Sequence, residues 1–128
     1  VTCSQCKYSS KTYDPFMDLC LEINKANSLA KALSHFTALE VLDGQNKYRC
    51  SKCNRKVKAT KGFKIDKSPN VLTVQLKRFL YGRVGGKIAH PVSYPTQLDL
   101  SPYMASPNVK NGYNNECYNL YGVLVHIG

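Results

Sequence analysis

Several things are missing from this chain of 128 residues, and each absence narrows its class. No apolar run is long enough to cross a membrane as a helix, so no membrane partner is expected. No secretory signal precedes the six cysteines, which points to thiols kept reduced, and used for metal, rather than to a disulfide framework. Internal repeats and low-complexity tracts are absent. There is no initiator Met, and both ends of the chain are abrupt and apolar, the expected look of an interior piece of a longer domain. Acids are scarce: eight Asp and Glu face eighteen Lys and Arg, for a net charge of +10.

The strongest positive feature is a pair of knuckles, Cys3-Ser-Gln-Cys6 and Cys50-Ser-Lys-Cys53. Two residues between cysteines let both sulfurs of a knuckle reach one ion, and two such knuckles complete a tetrahedral thiolate site of the kind a structural zinc ion prefers. Cys3, Cys6, Cys50 and Cys53 are therefore the expected Zn²⁺ ligands. Two unrelated pairs of free cysteines, or disulfides, remain the alternative on spacing alone. The long insert places each knuckle on its own hairpin, so a shared ion would staple distant parts of the chain.

Charge is concentrated near the second knuckle. Lys47 to Lys67 holds nine of the eighteen basic residues and one acid, Asp66. A basic zinc-bearing segment can contact nucleic acid, although only Tyr48 and Phe63 supply aromatic interleaving. A solvated finger kept soluble by its lysines is the plainer reading.

Periodicity places the remaining elements. Met17, Leu19, Leu21 and Ile23 alternate with polar or small residues, as in a half-buried strand over 16–23. Ser28 reads as an N-cap, and Leu29, Leu33 and Phe36 recur at helical spacing, predicting an amphipathic helix over 28–39. Asp43-Gly44 is a turn. Val57, Ala59, Phe63 and Ile65 share one phase, suggesting a ribbon running back from the metal. Ser68-Pro69-Asn70 is a break, and Val71 to Phe79 is the strongest strand, with Leu72, Val74 and Leu76 on one face. Gly85-Gly86 marks a turn. Residues 95–117 read mostly as loop with one short turn of helix. Leu120 to Ile127, apolar on both faces, reads as a central strand.

These pieces resemble, in order, the catalytic domain of the ubiquitin-specific proteases, a family of cysteine deubiquitinases. The resemblance rests on the two knuckles, Tyr13-Asp14-Pro15-Phe16-Met17-Asp18-Leu19, the helix opening at Ser28-Leu29, and Glu40-x-Leu42-x-Gly44-x-Asn46-x-Tyr48 before Cys50. It continues through Pro69-Asn70-Val71-Leu72, Leu76-Lys77-Arg78-Phe79, Gly86-Lys87-Ile88, Tyr94-Pro95 with Leu98-Asp99-Leu100, and Tyr121-Gly122-Val123-Leu124-Val125-His126. It covers essentially the whole chain. Gly85-Gly86-Lys87-Ile88 and Leu98-Asp99-Leu100-Ser101-Pro102-Tyr103-Met104 look closest to the branch that includes nucleolar members.

The resemblance implies a papain-like α+β fold, mostly β, shaped as a hand. Residues 1–67 would be fingers carrying the zinc ribbon and one helix, and 68–128 antiparallel palm strands. It implies ubiquitin as partner, cradled with contributions from Tyr48, Lys77, Arg78, Phe79 and Tyr94, and an intracellular location in nucleus, nucleolus or cytoplasm. The catalytic Cys box is expected before Val1 and the Gly-His-Tyr carrying the base after Gly128, so no catalytic residue is assigned here and the piece alone is expected to be inert. A basic zinc ribbon binding nucleic acid and an inactive ubiquitin-binding relative are the other readings. Asn115-Glu116-Cys117-Tyr118-Asn119 imitates a Cys box but follows the zinc ribbon instead of preceding it. Cys20 lies between Asp18 and Glu22, which would raise its pKa and blunt it. His126 falls near the active site without being its base. His35 reads as a helix-face residue, and His90 has no metal-spaced partner.

Overall fold

Leu19, Leu21 and Ile23 all point into one apolar cluster, as their alternation requires, and that cluster organises most of the chain. The computed structural model describes residues 1–79, 86–106, 109–110, 113–114 and 116–127. Strand β1 is Thr2–Cys3, β2 is Leu19–Glu22, and helix α1 is Leu29–Thr37. The short strands β3 (Glu40–Leu42), β4 (Tyr48–Cys50), β5 (Arg55–Val57) and β6 (Ala59–Lys61) follow, then β7 (Val74–Lys77) and β8 (Gln97–Asp99). Two-residue β9 (Val109–Lys110) and β10 (Tyr113–Asn114) pair with each other, and β11 is Cys117–Asn119.

Two packing clusters form. The larger buries Leu19, Leu21, Ile23, Ala26, Ala32, Leu33, Ile65, Val92, Leu100 and Met104, with Leu72, Val74 and Leu76 of the β7 region against it. The smaller holds Cys3, Cys50 and Val57, with Cys6, Tyr48 and Cys53 packed around them. Helix α1 belongs to the larger cluster. Its N-cap is Ser28, whose Oγ accepts from the Lys31 N–H at 3.1 Å, and it ends at Thr37, where Ala38 turns extended.

Strand β6 joins distant segments: it pairs antiparallel with β1 on one side and β3 on the other. Strands β8 and β11 are also antiparallel. The pair β2–β7 is parallel, in register Leu19↔Val74 through Glu22↔Lys77, which departs from the expected antiparallel palm. Parallel neighbours need a long crossover, and the helix and the whole cysteine ribbon supply it.

Other expectations are corrected. Met17 is 94% exposed rather than inward, because the chain bends at Met17–Asp18 and pairing begins only at Leu19, whose N–H donates to the Thr73 carbonyl at 2.8 Å. Phe63 leaves the phase of Val57, Ala59 and Ile65. Strand β6 ends at Lys61, and the Phe63 ring, 53% exposed, stacks on Phe36 with centroids 5.7 Å apart. The Asp43-Gly44 turn is present as a 3₁₀ turn, with Gly44 at φ +60. The short helical turn expected within 95–117 is Ser101–Tyr103, but β8 and β11 flank it as strands not foreseen. Residues 120–127 form no strand: the Leu120 N–H still donates to the Thr96 carbonyl at 2.8 Å, but among the described residues 121–127 have no backbone partner, and Leu124 and Ile127 stand 101% and 93% exposed. Of the Gly85-Gly86 turn, Gly85 lies outside the described residues.

Leu33 is fully buried where α1 meets β2, so Leu33→Ala should cost about 2–5 kcal/mol in a urea unfolding series. Met17→Ala, at an exposed site, should stay within about 0.5 kcal/mol. Equal costs for the two would show that α1 does not close the core.

Candidate metal centre

Both cysteine knuckles are built by the same local turn. In the first, the Lys7 N–H donates to the Cys3 carbonyl at 3.1 Å, and in the second the Asn54 N–H donates to the Cys50 carbonyl at 2.8 Å. In each, the residue directly after the second cysteine is left-handed, with φ 63 at Lys7 and φ 55 at Asn54. Asn adopts this region readily, so Asn54 was a visible signal, whereas Lys7 carried none. The second knuckle sits at the tip of the β4–β5 hairpin, and its Cys53 N–H donates to Cys50 Sγ at 3.4 Å. The first is held against it through β6, by the Cys3↔Ala59 pairing and by the Ser4 N–H donating to the Lys58 carbonyl at 3.0 Å.

This architecture brings the four sulfurs together. All lie within 4.8 Å of one another, and two pairs that span the knuckles are close: Cys3 to Cys53 at 3.9 Å and Cys6 to Cys50 at 3.7 Å. A tetrahedron with metal–sulfur bonds of about 2.3 Å has edges of about 3.8 Å, so the observed spacing fits four ligands around one ion. A sulfur–sulfur bond is about 2.05 Å, and no disulfide joins any of the six cysteines.

The electrostatics suit a cation. Without one, the Cys3 thiol falls from its ordinary 9.0 to about 6, foremost because the Cys6 backbone N–H donates to it, with burial opposing. Cys53 is pushed up to about 12, foremost by its hydrogen bond with the Cys6 sulfur and then by burial. One thiolate forms easily and a neighbour then resists ionising. Four thiolates can coexist here only around a positive ion.

The other sequence-derived residues lie elsewhere, apart from Tyr48, which is half-buried against the cysteine cluster. Lys77 pairs with Glu22 at 3.3 Å, both mostly exposed, a pair worth about 0–1 kcal/mol. Arg78 is half-buried, and its Nη1 donates to the carbonyls of Ile88 at 3.0 Å and His90 at 2.8 Å. Phe79 and Tyr94 are 68% and 52% exposed, and His126 is exposed. His90, which lacked a metal partner in the sequence, has a structural one: its Nε2–H donates to the Ala26 carbonyl at 3.0 Å.

Cys20 and His35 line a cavity of about 170 Å³ with Glu22, Ala32, Phe36 and Lys77. The single Cys20 S–H can donate to Asp18 at 3.6 Å or to Gln75 at 3.5 Å, and its pKa is raised, by burial first and by Asp18 second. Cys117 is exposed on β11 opposite Asp99. Among the described residues neither thiol has a histidine as hydrogen-bond partner.

Comparison with known proteins adds a family to this geometry. A family model described as ubiquitin carboxyl-terminal hydrolase matches residues 2–128. Ubiquitin carboxyl-terminal hydrolase 42 of Homo sapiens is 51% identical over 128 residues, covering 100% of this chain and 9% of that protein. Ubiquitin carboxyl-terminal hydrolase 23 of Arabidopsis thaliana is 47% identical over 129 residues, covering 100% of this chain and 14% of that protein. Among solved structures, the SAGA Ubp8/Sgf11/Sus1/Sgf73 DUB module bound to ubiquitin aldehyde matches with a TM-score of 0.78 and 35% identity, over 99% of this chain and 29% of that one. The chain thus spans less than a third of the length of each protein it matches here.

Removing one sulfur should loosen the ribbon and spare the larger core. Apparent metal-binding energies in small thiolate sites are on the order of 10 kcal/mol. Cys50→Ser should therefore lose bound metal and amide-exchange protection across β1, β4 and β5, while β2 and β7 keep theirs. Equal loss in both regions would show that the metal is no local staple. The pH dependence has a definite sign. The depressed Cys3 value means that its thiolate contributes fully above 9.0 and is lost as pH falls through about 6. In a chelator titration, metal should be held more tightly above about pH 6 than below it, and the opposite order would contradict the thiolate assignment.

Proposed function

The chain belongs to the ubiquitin carboxyl-terminal hydrolase family, and we propose that it forms part of a deubiquitinating cysteine protease that hydrolyses the isopeptide bond at the ubiquitin C-terminus. The observation that carries this reading is the match of the family model over residues 2–128, which takes in the four-sulfur cluster. The partner we assign is ubiquitin, in keeping with the ubiquitin aldehyde held by the similar DUB module. On this reading residues 1–67 are the fingers and 68–128 belong to the palm. The metal is Zn²⁺: an all-cysteine tetrahedral set leaves no open position for substrate or water, so its role is structural. Six unpaired thiols suit a reducing compartment such as nucleus or cytoplasm.

The proposed contact residues then divide by what they touch. Phe79 and Tyr94 present exposed rings to a partner. Arg78 spends its guanidinium on two backbone carbonyls, so it acts by fixing the segment 88–90 beside Phe79. Lys77 offers a partly screened charge, and Tyr48 braces the ribbon from within.

No catalytic step is assigned to this chain. Attack on a carbonyl carbon by sulfur needs a thiolate with a base beside it. Burial and Asp18 raise the Cys20 pKa and favour its thiol form, and Cys117 faces solvent with no histidine as hydrogen-bond partner among the described residues. The nucleophile and base belong to other segments of the parent, and His126 lies near them without replacing them.

The chain of 128 residues should neither hydrolyse a fluorogenic ubiquitin C-terminal substrate nor become labelled by a ubiquitin probe with an electrophilic tail, whereas the full-length parent should do both. Labelling of this chain that disappears in Cys117→Ala would place the nucleophile here and overturn the assignment. A full-length parent that never reacts would overturn the protease reading itself.

A further inference from the structure

The charge of the ribbon has no part in the reading above. All nine basic side chains between Lys47 and Lys67 are exposed, with Asp66 the single acid among them. The β4–β5 hairpin sorts them by face. Its register pairs Tyr48 with Val57, Arg49 with Lys56 and Cys50 with Arg55. Successive side chains alternate between faces, so with Tyr48, Cys50 and Val57 turned to the cysteine cluster, Arg49 and Lys56 stand directly opposite each other on the outer face. Like charges in that position repel and weaken the pair. Little within the chain offsets this. Among the described residues Lys58 is the one member of the nine with a carboxylate within reach, Asp43 at 3.9 Å, and both groups are half exposed. Four thiolates around a divalent ion would carry a net charge of about −2, but on the inner face.

We infer that the outer face of β4–β5 binds the phosphate backbone of duplex nucleic acid, without reading its sequence. Two observations favour phosphate over an acidic protein surface. The exposed large hydrophobic residues stop at Val41 and resume at Phe63, leaving the face without the apolar anchor that a protein interface is built around. Phosphate contacts need only positioned cations. Tyr48, the aromatic of this hairpin, is half-buried on the inner side, so no platform is offered for stacking unpaired bases. The knuckle at the hairpin tip fixes the strands, so the two charges are held in place before any ligand arrives.

The test is fluorescence anisotropy of a short labelled DNA duplex, titrated with the zinc-loaded protein at several salt concentrations. Affinity should fall as salt rises. Each phosphate contact contributes about 0.9 to the log–log slope, so Arg49→Gln with Lys56→Gln should reduce it by about 1.8. Lys25→Gln with Lys31→Gln, two exposed cations far from the hairpin in sequence, should leave the slope unchanged. Metal content is measured on every variant. If the hairpin pair loses its metal, Lys47→Gln, which shares the outer phase with Arg49, should lower the slope by about 0.9. Absence of salt-dependent binding, an unchanged slope in the hairpin variants, or an equal drop in the Lys25 and Lys31 control would overturn the inference. So would polyglutamate competing as well as unlabelled duplex, which would assign the face to an acidic protein.

Discussion

Four sulfurs converging from knuckles 44 residues apart set the terms for everything at this end of the molecule. The ribbon has almost no apolar interior: apart from cysteines, Val57 is the one buried residue of the smaller cluster among the described residues. Three-residue strands such as β4 and β5 cannot hold themselves in water. A metal ion held by the four sulfurs would replace the missing core with a few strong bonds of fixed geometry. The two left-handed turns at Lys7 and Asn54 aim each pair of sulfurs at a common point, and the mild strain at Lys7 is tolerated because the site over-determines it.

The rest of the chain uses a different kind of cohesion. The larger cluster packs Leu21, Ile23, Leu33 and Leu100 to full burial, as an ordinary hydrophobic core. Strand β6 bridges the two regimes, since it pairs with β1 beside the cysteines and with β3 just after the helix. Polar ties then fix the surface next to β7. Arg78 draws the carbonyls of Ile88 and His90 inward, and the His90 ring reaches across to Ala26. The exposed rings of Phe79 and Tyr94 are therefore carried on a positioned frame, the property expected of a surface that receives a partner.

Much of this was legible in the residues. Cys-x-x-Cys spacing is a short-range rule with a direct geometric meaning, and the sulfurs meet as it requires. Ser28 and the alternation of Leu19, Leu21 and Ile23 are likewise local. What failed depended on neighbours. Periodicity says which face of β7 is apolar but not which strand lies beside it, so its parallel partner β2 was not foreseen. The apolar stretch 120–127 carries a strand pattern, yet a strand exists only against a hydrogen-bonded neighbour, and past the Leu120 N–H on the Thr96 carbonyl none is present among the described residues. Phe63 kept its phase on paper, but the strand ended one residue before Gly62 and the ring found Phe36. Strands β8 and β11 were invisible because each offers one inward side chain, Leu98 and Tyr118.

The central claim is that one ion is bound by Cys3, Cys6, Cys50 and Cys53 together, and X-ray absorption at the zinc edge of the purified protein tests it most directly. The account predicts one zinc per chain with four sulfur neighbours at about 2.3 Å and no nitrogen or oxygen in the first coordination sphere. Nitrogen or oxygen ligands, fewer than four sulfurs, or cysteines recovered as disulfides from a metal-free protein that stays folded would contradict it.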